Sequence, residues 1–357
     1  MRKLTHGLQN NWKLPRRLKD LTLKEKISQF LVSRSIYSRE LPINYVWQSK
    51  KIEELFRSIE LGLVDCGSRG DISPELRKIS ESINLISFDA DPDSSDVGTK
   101  MKSRKTHNFF LGEENGTIPF NIYKRPWESS SLKPDENYVR YFSPASKIEK
   151  TLEVEARTLD AVIDEFHPNS SIDYMKLDVQ GTELSILKGS KNVLEELIML
   201  EVELSFVAQY NNQDLWFEIG KYLDQKGFEP LFLNRVTGNM QSKSKIARGQ
   251  LLFGDMWFIK KRSEIALLSK DKKKKLILLL AYFGSIDLAE NLFQECSDEF
   301  PELNLELRSI FTQSNSNFSI FWRRLIWLFI DRIFLFAYKL TRTNGLLFDS
   351  DRSHPYR

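Results

Sequence analysis

The chain has 357 residues, 41% hydrophobic and 28% charged, an ordinary globular balance that allows one sizeable domain with appendages or two small ones. Its formal net charge of +3 gives no case for nucleic acid as a partner, and Cys66 and Cys296 are too far apart in sequence to suggest a disulfide framework or a zinc site. The basic N-terminus has no apolar h-region before Trp12, so no secretory signal is expected and the expected location is the cytoplasm, a reducing compartment.

Residues 1–61 read as an N-terminal helical extension. Leu18, Leu21, Ile27, Phe30 and Leu31 recur at roughly helical spacing, Pro42 interrupts, and Ser49 to Ile59 resumes as an amphipathic helix. A strand over Leu63–Cys66 breaks at a glycine-bearing turn. Ser73-Pro74-Glu75 then supplies an N-cap, a first-turn proline and a first-turn acid, which predicts a helix near Pro74–Ile83. Leu85–Asp89 is the next strand. His107–Leu111 is predicted as a third strand, joined through the hairpin signal Asn115-Gly116 to Ile118–Tyr123 as its partner. His167, before Pro168, reads as an exposed loop residue, and residues 126–147 read as loop.

Further on, Thr151–Arg157 is a strand and Leu159–Phe166 a short helix. Ile172–Asp178 is a strand ending on an acid, followed by a helix over Leu184–Leu194. Leu197–Val202 is a buried strand, Leu215–Lys226 a helix with Gly227 as its C-cap, and Phe228–Leu233 with Leu251–Ile259 an antiparallel pair. Alternating β and α elements with short links imply a mostly parallel, seven-stranded Rossmann-like α/β sheet with an antiparallel edge, over residues 62–262. Residues 263–357 read as a C-terminal helical region, with Leu276–Phe283 and Ile286–Cys296 as a helical pair. Within it, residues 318–340 form a wide apolar helical stripe carrying Arg323, Arg324, Asp331, Arg332 and Lys339. That many charges argue against a membrane span and leave two expectations, a helix packed within this protomer or a second one (a homo-oligomer), or a peripheral membrane-surface contact.

In open α/β sheets, ligands bind beyond the carboxyl ends of the strands. Those ends carry Asp65-Cys66-Gly67, Asp89, Asp178 and the pair Glu201 and Glu203. Gly67 and Gly70 let backbone approach a ligand, and Asp89 is placed to accept both ribose hydroxyls. The turn has one glycine fewer than a dinucleotide fingerprint, so a phosphate-free nucleoside, a methyl donor with ribose and an amino acid tail, fits better than a pyrophosphate cofactor. Asp178 can orient a hydroxyl, act as general base or ligate a divalent metal ion, and Glu203 is a second candidate for the same duties. Cys66 reads as a small buried residue, and Lys176 as a partner for a nearby acid.

Several blocks together resemble the FkbM family of S-adenosylmethionine-dependent methyltransferases. They are Val64–Gly70, Ile86–Pro92, Gly112 with Ser130-Ser131-Leu132, Arg157–Asp160, Lys176-Leu177-Asp178-Val179-Gln180-Gly181-Thr182-Glu183, Ile186–Gly189 and Leu200–Glu203. The resemblance spans roughly residues 60–260, and the Lys-x-Asp-x-x-Gly-x-Glu block is its most specific part. Two positions depart from the family pattern: Ser68-Arg69 replace a small residue and asparagine, and Asp89-Ala90 replace Glu-Pro. The resemblance implies O-methyl transfer from S-adenosyl-L-methionine to a hydroxyl of a sugar, glycan or other small hydroxylated metabolite. Gly67 and Gly70 would admit the methionine end, Asp65 would receive its ammonium, Asp89 the ribose, and Asp178 with Glu203 would sit at the acceptor. The alternative is a non-catalytic binding module of the same fold, docking through its C-terminal helix.

Overall fold

A computed structural model describes residues 43–67, 72–91, 98–143, 146–238, 240, 249–301, 304–314 and 329. Gly70, Arg69, the helical spacing between Leu18 and Leu31, and all of 318–340 except Phe329 lie outside the described residues. Helix α1 (Ile43–Phe56) starts immediately after Pro42 and leads into strand β1 (Leu61–Cys66), every residue of which is buried. The sheet continues with β2 (Ile83–Phe88) and β3 (Ser103–His107). A small second sheet holds β4 (Phe110–Leu111), β5 (Gly116–Tyr123) and β6 (Ile148–Arg157), with helix α2 (Glu136–Tyr141) between the last two. After helix α3 (Leu159–Phe166) come β7 (Tyr174–Leu177), helices α4 (Glu183–Lys188) and α5 (Lys191–Glu196), β8 (Met199–Ser205), α6 (Trp216–Gln225), β9 (Phe228–Gly238) and β10 (Gln250–Lys260). Helices α7 (Arg262–Leu267), α8 (Lys270–Tyr282), α9 (Ile286–Glu295) and α10 (Asn304–Ser314) follow.

The main sheet has seven strands in the order β3-β2-β1-β7-β8-β10-β9. Neighbours pair in parallel except β10, which runs antiparallel to both β8 and β9. This is the Rossmann-like architecture expected from the alternation of elements. The order reverses beside β1, so the carboxyl ends of β1 and β7 flank the crevice where such sheets take ligands.

Side chains alternate across the sheet. Val64, Cys66, Met175, Leu177, Leu200 and Val202 face α3, α4, α5 and α6 in one core, which also contains Leu159, Leu187 and Ile219. Leu61, Leu63, Tyr174 and Met199 face the other way, onto Ile52 and Phe56 of α1, Leu276–Tyr282 of α8, Phe293 of α9 and Ile310 of α10. Fully burying one such aliphatic or aromatic side chain is worth about 1.5–3 kcal/mol. A buried polar clamp anchors α8 as well: Asp173, fully buried, accepts from Lys272 Nζ at 2.9 Å, Lys275 Nζ at 3.0 Å and the Gly62 N–H at 2.8 Å.

Six local expectations are corrected. The element after β1 is a 3-10 helix over Pro74–Ser82, and Ser73 makes no side-chain cap. Leu76, Ile79 and Ser82 are buried at every third position, the period that a 3-10 helix aligns on one face, and Ser80 beside them is buried too. The predicted third strand is split between the two sheets, β3 being a polar edge strand and β4 a short piece of the small sheet. In that small sheet β5 pairs with β6 and not with β4, so β6 lies in the middle. The helix predicted over Leu184–Leu194 breaks at Gly189, where a Cβ would stand 2.1 Å from the Gly112 carbonyl oxygen, and Asp160 caps the restart through the N–H groups of Asn192 and Val193. His167 is half-buried rather than exposed, with its Nε2 2.8 Å from Nε2 of His107. Residues 126–147, read as loop, include helix α2, capped by Asp135.

Candidate active site

On the face covered by α1 and α8, the sheet changes character toward its carboxyl edge. Register places Ser87, Asp65, Lys176, Glu201 and Trp257 side by side across β2, β1, β7, β8 and β10. The next row outward brings together Gly67, Asp178 and Glu203, with Asp255 directly opposite Glu203. Apolar residues fill the lower half of this face and ionisable ones the upper half.

Asp65 is 3% exposed, and its Oδ1 has no hydrogen-bond partner. Burial pushes its carboxyl up to about 6, against the pull of Lys176. A carboxylate oxygen left unpaired inside a protein is costly unless a ligand group completes it. Lys176 stands 3.6 Å from Asp178 Oδ2. Burial would lower its pKa, but the charges of Asp178, Asp65, Glu201 and Asp255 outweigh that and keep the ammonium protonated. The pairing expected for Lys176 is therefore present. Glu201 is held from below, accepting from the Tyr174 hydroxyl at 2.7 Å, which in turn accepts from Trp257 Nε1 at 3.0 Å.

Gly67 has φ of +85°, and a Cβ there would lie 1.9 Å from the carbonyl oxygen of Asp178. Its N–H donates to Phe88 O at 2.9 Å, while the Asp178 N–H donates to Cys66 O at 3.1 Å. The glycine thus lets the end of β1 cross close over the end of β7. Asp89 ends β2, and its Oδ1 accepts from the Asp91 N–H at 2.8 Å, fixing the turn that follows. Cys66 is fully buried, and burial pushes its thiol up, as befits an inert packing residue.

Asp178 and Glu203 come together. Gln180 Nε2 donates to Asp178 Oδ1 at 2.9 Å and lies 3.2 Å from Glu203 Oε2. Burial, and then the Asp178 charge beside it, hold the Glu203 carboxyl well above the usual range, which favours its protonated form within the pair. Gln180 has φ of 62°, a left-handed conformation uncommon outside glycine. Its surroundings fix it: Ser130 Oγ donates to its carbonyl at 2.7 Å, and the Tyr210 hydroxyl lies 3.1 Å from its Oε1.

Two loops form the roof. Asp135 N–H donates to Gln209 O, Asn211 N–H donates to Lys133 O, and the Tyr210 hydroxyl also reaches Glu128 O at 3.0 Å. Arg125 donates to Glu128 Oε1 at 3.0 Å and to Ser143 Oγ at 3.1 Å. Tyr138 is half-buried beneath this roof; burial, with the charges of Glu203 and Glu128, raises its phenol. Sequence reasoning missed Gln180, Tyr138, Tyr210 and Glu128 as site residues. The signal for Gln180 and for Ser130 was present in the family-like blocks; nothing local marked the others. Among the described residues, no three His, Cys, Asp or Glu side chains gather to hold a metal ion, and no helix is long and apolar enough to cross a membrane.

Comparison with known proteins bears on the family of this rim. Residues 69–230 match the model of the methyltransferase FkbM domain. Over that segment the chain is similar to the FkbM methyltransferase domain. The FkbM match runs from the turn after β1 to the start of β9 and includes Asp89, Asp178, Gln180 and Glu203. Methyltransferase sdnD of Sordaria araneosa is 24% identical over 193 residues, covering 47% of this chain and 73% of that protein. The family resemblance read from the sequence blocks is thereby borne out.

Proposed function

We propose that the chain is an S-adenosylmethionine-dependent O-methyltransferase acting on a hydroxyl of a sugar, glycan or other small hydroxylated metabolite. The observation that carries this reading is the unpartnered Oδ1 of Asp65, buried on the ionisable half of the sheet face of an FkbM domain. An ammonium group of an amino acid tail would complete it. The surrounding carboxylates suit a donor with a net positive charge. Asp65 would hold the ammonium and Asp89 the ribose hydroxyls; Gly67, and Gly70 outside the described residues, would border the methionine end.

When bound, S-adenosylmethionine supplies an electrophilic methyl on a sulfonium. The protein's share is to align an acceptor oxygen and take its proton. Asp178, at 36% side-chain exposure the open member of its pair, would accept that proton. Glu203, whose raised carboxyl favours the protonated form, would serve as a hydrogen-bond donor, and Lys176 would steady the Asp178 charge before transfer. A divalent ion at Asp178 is not needed for these steps.

Calorimetry with S-adenosylmethionine and its demethylated product tests the donor site: saturable binding is expected, weakened at least tenfold by Asp89→Ala. Folded protein that binds neither compound would sink the reading. Labelled methyl transfer to a metabolite extract separates an enzyme from a non-catalytic module, which would label nothing. For location we propose the cytoplasm, with residues 318–340 as a contact helix for a membrane surface or a second copy. Deleting 315–357 should then reduce liposome sedimentation or dimer mass; a deletion that changes neither would exclude both.

A further inference from the structure

Among the described residues, Gln180 and Asn212 are the only ones with a side chain at positive φ, 62° and 61°. Asparagine visits this region readily, whereas a longer side chain such as glutamine does so at a cost. Glycine takes the conformation freely, and the next residue is one, Gly181 with φ of 104°. The strain at position 180 is therefore offset by what the glutamine side chain reaches.

Both polar atoms of that side chain are engaged. Nε2 donates to Asp178 Oδ1 at 2.9 Å and to Glu203 Oε2 at 3.2 Å, while Oε1 lies 3.1 Å from the Tyr210 hydroxyl. An amide turned end for end keeps its shape, so its partners decide which end faces inward. Negative charge on the carboxyl pair calls for the nitrogen end, and a phenol can donate to the oxygen end. Tyr210 is 4% exposed and burial raises its phenol well above the ordinary value, so its hydrogen stays available. That one hydrogen lies between two acceptors, Gln180 Oε1 and the Glu128 carbonyl at 3.0 Å. The tyrosine ring sits against the turn itself, since a Cβ on Gly181 would stand 3.1 Å from Tyr210 Cδ2. Ser130 Oγ holds the backbone by donating to the Gln180 carbonyl at 2.7 Å. On the far side of Asp178, Lys176 Nζ lies 3.6 Å from Oδ2. With the amide on one oxygen and the ammonium nearest the other, the Asp178 carboxylate is fixed in rotation.

We infer that Gln180 is a positioning residue for methyl transfer: its amide, with its sense set by Tyr210, holds Asp178 and Glu203 in the arrangement in which Asp178 takes the acceptor's proton. This rests on the methyl-transfer reading above and adds to it a residue that acts through the two acids. The strained turn is on this account a device for delivering one amide to one place.

The test compares the full chain with its Gln180→Gly and Gln180→Met variants. Glycine keeps the left-handed turn and removes the amide; methionine keeps the length of the side chain and removes its hydrogen bonds. Initial rates of tritium transfer from methyl-labelled S-adenosylmethionine are read against increasing amounts of one polar metabolite extract. Both variants are expected to lower the plateau rate by roughly tenfold or more, with half-saturation by the extract and calorimetric donor affinity within about threefold of wild type. The acid limb of the plateau rate should also move to higher pH, because a donated N–H favours the ionised form of a carboxylate and the variants donate none. Variants that keep the wild-type plateau would overturn the inference and leave methyl transfer standing. So would a lowered plateau with an unmoved acid limb, or with donor affinity falling in step, since the turn would then serve only the fold. Failure of both variants to fold would overturn it for the same reason. A wild-type chain that labels nothing would remove the enzyme reading and this inference with it.

Discussion

The carboxyl groups of Asp178 and Glu203 are tied into one unit, because the single side-chain amide of Gln180 reaches both, at 2.9 and 3.2 Å. Neither acid can be understood alone. Burial and the Asp178 charge raise the Glu203 carboxyl well above its ordinary range, so the two acids are not equivalent, and on the proposed reading Asp178 is the acceptor of the substrate's proton.

Removing that acceptor should show in turnover and not in donor binding. Asp178→Asn is expected to lower methyl transfer by roughly 10²–10⁴-fold, the usual contribution of a positioned general base, with donor affinity within about threefold of wild type. Glu203→Gln keeps a donor in place and should cost far less. Equal losses in both variants would show that the pair does not divide its duties in this way.

Donor affinity should depend on pH through Asp65. With its carboxyl pushed up to about 6, Asp65 becomes neutral on the acid side of that value and loses its attraction for an ammonium. Affinity is therefore expected to fall between pH 7 and pH 5, with proton release on binding near pH 6 when calorimetry is repeated in buffers of different ionisation heat. Asp65→Asn should bind weakly at every pH; a variant that keeps the wild-type profile would remove Asp65 from the donor site.

Stability should move in the opposite direction with pH. Asp65 and Glu183 are raised from ordinary values of 3.8 and 4.5 to about 6 and about 7, chiefly by burial. A carboxyl raised in the folded state adds stability that is complete below its unfolded pKa and is lost as pH climbs through the folded one. Without donor, Asp65→Asn is thus expected to match wild type near pH 4 and exceed it at pH 8, by at most about 3 kcal/mol at 1.36 kcal/mol per pH unit. Urea titrations at the two pH values give the comparison, and parallel stability curves would contradict it.

Gly67→Ala tests the crossing of β1 over β7. Both the +85° φ and the 1.9 Å approach to the Asp178 carbonyl forbid a side chain. A loss of roughly 3 kcal/mol or more is expected by urea denaturation, together with disturbed donor binding because Asp178 must shift. Wild-type stability in this variant would mean that the rim is looser than described.

Asp173→Ala should be as damaging, far from the chemistry. It removes the buried carboxylate that Lys272 and Lys275 reach at 2.9 and 3.0 Å, leaving them to the Ile172 carbonyl and Asp271, and frees the Gly62 N–H. Breaking one side of a buried pair costs about 3–5 kcal/mol. Urea midpoints should fall accordingly, and a change below about 1 kcal/mol would show that α8 is held by its apolar residues alone.

The readable parts of this fold were those whose burial is two-sided and continuous. Strands β1, β7 and β8 are apolar runs ending in acids, and their order along the chain already implied which rim carries the site. Edge strand β3, Ser-Arg-Lys-Thr-His, has no apolar signature because little of it is buried, so its residues were merged with β4 of another sheet. Asp65, Asp178 and Glu203 stood out as acids at strand ends. Tyr138, Tyr210 and Glu128 did not, since their place depends on two loops knit together by backbone hydrogen bonds such as Asn211 N–H to Lys133 O. The meeting of His107 and His167, sixty positions apart, has the same cause.

The helices beyond the matched segment have a practical consequence for anyone excising it. Leu276–Tyr282 and Ile52 are buried against the same strands that carry Leu61 and Leu63, and Lys51 Nζ reaches Ser309 Oγ at 3.2 Å, so the early and late parts of the described chain lean on one another beneath the sheet. A recombinant piece trimmed to residues 69–230 would lack β1 and bare a greasy underside to water. Expression plasmids should keep residues 43–314 together.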